Sequence, residues 1–114
     1  SNQLFKKIFE YFELNEKYVF KCLGSKISKT SQNDLGYISN YEVNAILNDT
    51  KYSIISEENI ESFFSRECIA NDVIIFCDMS QKNILDYKNI VYIDFYNHDE
   101  ALRVIKKNLD LKSI

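Results

Sequence analysis

Two apolar runs of this chain each carry an aspartate at their far end. Asp72-Val-Ile-Ile-Phe-Cys-Asp78 closes on Asp78, and Asn89-Ile-Val-Tyr-Ile-Asp-Phe95 places Asp94 one residue before its end. Paired carboxylates are hard oxygen ligands that can share a Mg²⁺ ion, a chemistry suited to phosphoryl transfer or phosphodiester cleavage. If the runs are neighbouring parallel strands, both side chains emerge at one sheet edge, where α/β proteins take their ligands. The simpler account is that acids end strands because they cannot remain inside an apolar sheet. No Gly-rich phosphate loop or supporting lysine accompanies the pair.

The single histidine, His98, has Asp99 beside it and Cys77 at a neighbouring strand end, so a thiol and imidazole pair for nucleophilic catalysis can be drawn. Against it, Asn97-His-Asp-Glu100 has the pattern of a helix cap, and a histidine in an exposed first turn needs no chemical role. A third constellation interleaves acids with tyrosines: Asp34, Tyr37, Tyr41, Glu42, Asp49 and Tyr52, then Glu57, Glu58, Glu61 and Glu67. Tyrosine offers a large rigid contact area with a hydrogen-bonding tip, and carboxylates around it steer a basic partner into place. The competing account puts the glutamates on the solvated side of a helix and the tyrosines in the core. The candidate partner-binding residues are Asp34, Tyr37, Tyr41, Glu42, Asp49 and Glu58, with Tyr37 and Tyr41 as anchors.

The elements that must position these groups follow from periodicity. The two apolar runs are too short for buried helices and rich in β-branched and aromatic residues, which predicts interior strands. Leu4, Phe5, Ile8, Phe9 and Phe12 fall on one face of an amphipathic helix, with Ser1 or Asn2 as its cap. Residues 17–23 read as a strand or as a short helix ended by Gly24, and residues 26–32 as an exposed loop or a lysine-protected edge. Ser39-Asn-Tyr-Glu42 resembles a capping box opening a helix through Leu47, with a strand over 41–46 as the competing reading. Residues 50–55 look like a strand. Ser56 then caps a helix bearing Glu57 and Glu58 in its first turn, with Ile60, Phe63, Phe64 and Cys68 inward. A one- or two-turn helix is expected around 81–87. A final helix from His98 buries Ala101, Leu102, Val104, Ile105 and Leu109 and leaves Arg103, Lys106 and Lys107 in water.

Together these predict one α/β or α+β domain over residues 1–114, with a mixed sheet of about four or five strands flanked by helices. A chain of 114 residues with 46% hydrophobic and 14% aromatic side chains is expected to fold as one domain. No apolar run approaches the ~20 residues that cross a bilayer. Three cysteines, Cys22, Cys68 and Cys77, cannot all pair within one chain, and no leader pattern precedes the first helix, so a reducing cytoplasm is the expected home. With two glycines and no proline, turns must rely on Asn, Asp and Ser. Nine acidic side chains against Lys51 and Arg66 make residues 31–80 strongly negative. A nucleic-acid binder shows the opposite, so direct DNA or RNA binding is disfavoured and a basic protein partner is favoured.

An acidic, Tyr-bearing central segment in a small domain without a catalytic signature resembles, in kind, the bacterial immunity proteins that neutralise toxins of contact-dependent inhibition and other polymorphic toxin systems. The resemblance implies a cytoplasmic antitoxin, not an enzyme and without cofactor or metal, that binds a cognate toxin domain, often a basic nuclease. It would occlude the toxin's active site or substrate face, the acids standing in for phosphate. Two other readings stand beside it. One is a small metal-dependent phosphoesterase or nuclease using Asp78 and Asp94. The other is a non-catalytic subunit of a larger complex, docked through the apolar faces of the two terminal helices.

Overall fold

The computed structural model describes residues 2–112, in which four α-helices cover two small parallel sheets. In chain order the elements are α1 (Asn2–Leu14), β1 (Cys22–Leu23), β2 (Asp34–Gly36), α2 (Asn40–Leu47), β3 (Tyr52–Ile54), α3 (Phe63–Ala70), β4 (Ile74–Asp78), β5 (Ile90–Ile93) and α4 (His98–Lys112). Strands β3, β4 and β5 lie side by side with β4 central, Tyr52 opposite Ile74 and Ile75 opposite Ile90. The separate β1–β2 pair is also parallel. The α/β character therefore stands, while the expected mixed sheet of four or five strands resolves into two sheets of two and three, parallel throughout.

Alternation along the strands divides the core into two layers. Phe76 and Ile93 face one side of the sheet with Leu4, Ile8 and Phe12 of α1 and Ala101, Ile105 and Leu109 of α4. Ile75 and Cys77 face the other side with Leu47 of α2 and Cys68 of α3. Both faces of β4 are thus covered, which is why its sequence is continuously apolar instead of alternating. Each such fully buried large side chain contributes on the order of 1.5–3 kcal/mol. The terminal helices place their apolar faces on the sheet and on each other's layer.

Local chemistry sets the boundaries. Ser39 and Glu42 form the expected capping box, which decides α2 as a helix against the strand alternative. Of the two caps expected for α1, Ser1 lies outside the described residues and Asn2 is already the first residue of the helix. The helix expected from Ser56 is instead a single 3-10 turn, Glu57–Asn59, and α3 begins only after Ser62, whose hydroxyl accepts the Ser65 N–H at 3.3 Å. Ser56 makes no side-chain cap, while Ser65 donates to the Asn59 carbonyl at 2.7 Å and fixes the break. The helix expected around 81–87 is instead a single 3-10 turn, Met79–Gln81, and Asn83, at φ 72°, takes a left-handed backbone that ends helical continuation. Asp72, at φ 57°, turns the chain out of α3 in the same way, so Asn and Asp do serve where glycine is scarce. Residues 17–23, read as a strand or a short helix, are mostly irregular and contribute only β1. Phe20 holds this stretch to α1, with its ring centroid 5.3 Å from Phe9 and 5.8 Å from Phe12, and Lys17 and Tyr18 both bond Asp110 of α4.

Candidate functional site

Because β4 and β5 are parallel neighbours, Asp78 and Asp94 do reach the same end of the sheet, and there both carboxylates serve the backbone. Asp78 is only 1% exposed; its Oδ1 accepts the Phe95 N–H at 2.8 Å and its Oδ2 the Ser80 N–H at 3.0 Å. It ties the exit of β5 to the turn after β4. Burial opposes its charge, but hydrogen bonds from the Ser80 hydroxyl and from the N–H groups of Phe95, Ser80 and Met79 outweigh burial and hold the carboxyl below the usual carboxylate range. Asp94 Oδ1 accepts the Tyr96 N–H at 2.9 Å and shapes the turn into α4. Among the described residues, no group of three or more His, Cys, Asp or Glu side chains is arranged to hold a metal ion.

The thiol and imidazole pair does not form. Cys77 is buried on the α2 and α3 side of the sheet, whereas His98 opens α4 on the opposite side. Burial, with Asp78 adding to it, pushes the Cys77 thiol up to about 11, and burial pushes Cys68 to about 11 as well, the reverse of an activated nucleophile.

The acid and tyrosine set divides. Asp34 is 3% exposed and is not a contact residue. Its Oδ2 accepts the N–H groups of Ile27 at 2.6 Å and Ser28 at 2.9 Å, and its Oδ1 that of Gly36 at 3.2 Å, so it staples the β1–β2 loop. Burial opposes the Asp34 charge, yet these donors and the nearby Lys26 hold its carboxyl below the usual range. Tyr37 and Tyr41, by contrast, are 83% and 84% exposed, one on either side of Ser39. Neither belongs to the core, which removes the account that would bury them. Glu42 is exposed but engaged, its Oε1 accepting from the Ser39 N–H and hydroxyl. Asp49 is exposed just before β3 and Glu58 just after it, so the length of that strand separates the two acids.

Beside Tyr37 lies a cleft of about 1230 Å³ that sequence reasoning missed. It is lined by β3, by α1 and residues 18–24, and by α2 and the start of α3. Val19, 94% exposed, stands with Tyr37 at its margin. Only Lys21, Asp49 and Lys51 carry charge among the lining residues, and the rest of the lining is mainly apolar. Nothing in the periodicity of 17–23 or 50–55 signals that these two stretches face one another. A second grouping assembled only by the fold is Tyr96, exposed, whose hydroxyl donates to Glu57 Oε1 at 3.1 Å.

Comparison with protein-family models, curated proteins and solved structures returns no match. Among the described residues, no helix is long and apolar enough to cross a membrane.

Proposed function

We propose that this is a non-catalytic binding protein that acts in the cytoplasm and neutralises a cognate toxin domain of basic charge, as the immunity proteins it resembles do. The observation that carries this reading is the exposure of Tyr37 and Tyr41 at the head of α2, with Tyr37 at the margin of an apolar cleft. Exposed aromatic side chains grouped beside a concave apolar surface are the usual anchors of a protein interface. Tyr37 is steadied by Ser25, with 3.0 Å between the two hydroxyl oxygens, so less side-chain freedom is lost on binding. Glu42 on α2, with Asp49 and Glu58 beyond the two ends of β3, supplies negative charge that steers a basic partner. Support also comes from the spent chemistry elsewhere: Asp78 and Asp94 cap turns, and Cys77 is a buried neutral thiol.

The test is capture of the tagged protein's partner from its own host at low and moderate salt, followed by co-expression with that partner. The expected result is one basic polypeptide in near-equal amount, lost as salt rises, whose toxicity co-expression suppresses. Tyr37→Ala with Tyr41→Ala should weaken capture at least ~10-fold while stability changes by less than about 0.5 kcal/mol per site. Equal capture by the double variant would remove these tyrosines as anchors, and a partner without toxicity would end the antitoxin reading.

A further inference from the structure

The free edge of β3 lies in the cleft, and its main chain is ready to pair. The Ile74 N–H donates to the Lys51 carbonyl at 2.9 Å and the Ile55 N–H to the Phe76 carbonyl at 3.0 Å. With Tyr52 opposite Ile74 and Ile54 opposite Phe76, Lys51, Ser53 and Ile55 turn their peptide groups toward β4. The N–H and C=O groups of Tyr52 and Ile54 therefore point away from the sheet, and among the described residues no strand pairs with that edge. Polar main-chain groups beside apolar walls are rarely left unpaired. The opposite edge, β5, does not line this cleft.

We infer that the β3 edge is an acceptor for an extended segment of a partner protein, which adds as a strand along Tyr52–Ile54 and fills the cleft. This deepens the binding reading above and rests on it. Strand addition supplies four main-chain hydrogen-bonding groups with partners, and side chains of the added strand alternate between two faces. One set meets the layer of Phe12 and Phe20; the other meets that of Val43 and Phe64. The two walls therefore select β-branched or aromatic residues at successive positions. Lys21 and Lys51 against Asp49 leave a small positive excess, so the segment is uncharged apart from a carboxylate that meets the lysines.

A displayed library of random decapeptides, selected on the whole protein, provides the probe, and amide hydrogen exchange provides the readout. In the free protein the Tyr52 and Ile54 amides should exchange at least ~100-fold faster than those of Ser53 and Ile55, which are bonded to β4. Selected peptides should be apolar and β-rich, and should slow Tyr52 and Ile54 exchange at least ~10-fold. Ile54→Pro deletes an outward N–H without touching a rung to β4 and should cost at least ~10-fold in affinity, with Ile54→Val as the control that keeps the N–H. The exchange comparison on the unaltered chain answers independently of whether the proline variant folds. Failure to enrich any peptide, peptides that protect amides elsewhere, or protection produced by self-association without peptide would each overturn the inference. Because the probe is not the cognate partner, failure here leaves capture through Tyr37 and Tyr41 standing, and failure of that capture leaves the edge measurement intact.

Discussion

Asp78 separates a structural carboxylate from a catalytic one, and Asp78→Asn is the perturbation that shows it. In the native chain the carboxylate, 1% exposed, accepts the Phe95 and Ser80 N–H groups at 2.8 and 3.0 Å, with the Ser80 hydroxyl and the Met79 N–H adding to them. Asparagine keeps one acceptor oxygen and presents an amide donor to the other N–H, so one hydrogen bond to a charged group is lost and one buried donor is left without a partner. At roughly 1.5–3 kcal/mol for a hydrogen bond to a charged group, the net cost is about 2–4 kcal/mol. With a urea slope of about 2 kcal/mol/M, the unfolding midpoint should fall by about 1–2 M. Asp94→Asn keeps an acceptor for the Tyr96 N–H and loses only the charge of one partly exposed turn contact, so it should cost less than about 1 kcal/mol. The pH dependence has a fixed sign. Asp78 is held below its unfolded value, so its contribution is complete above the unfolded carboxylate pKa of about 3.9 and is lost as pH falls through the folded one. The difference between native protein and Asp78→Asn should be constant from about pH 5 to 8 and shrink below about pH 4. Urea unfolding followed by circular dichroism at several pH values measures all of this. Equal midpoints for the native and Asp78→Asn proteins at neutral pH would refute the cap assignment.

Asp34→Ala should free three backbone N–H groups and raise amide exchange across residues 26–36 before the rest of the domain opens; unchanged exchange there would contradict the staple. With their thiols raised to about 11, Cys68 and Cys77 should be about one part in a thousand thiolate at pH 8 and resist alkylation in the native state, while the half-buried Cys22 reacts first. Mass spectrometry of briefly alkylated protein reads the order. Ile75→Asp places an unpaired charge at the centre of the sheet and should abolish cooperative unfolding at room temperature; a soluble native-like variant would mean the core is elsewhere.

The sequence by itself determined the elements whose signals are local and strong. Continuous apolar runs marked β4 and β5, helical periodicity marked α1 and α4, and Ser39 with Glu42 marked the start of α2, because each signal is carried by residues only a few positions apart. Weaker cases turned on competition between neighbours. Ser56 and Ser62 are both plausible caps by residue type, and only the bond from Ser65 to Asn59 decides that a 3-10 turn separates them. Asn83 can continue a helix or take the left-handed backbone, and its surroundings choose the second. Tertiary structure alone decided the fate of the candidate side chains. Asp34 and Tyr37 lie three positions apart in equally polar sequence, yet one is buried under three backbone donors and the other stands in water. The cleft and the open β3 edge arise because residues 18–24 and residues 49–56 line one cavity, a juxtaposition of distant segments that no local pattern encodes.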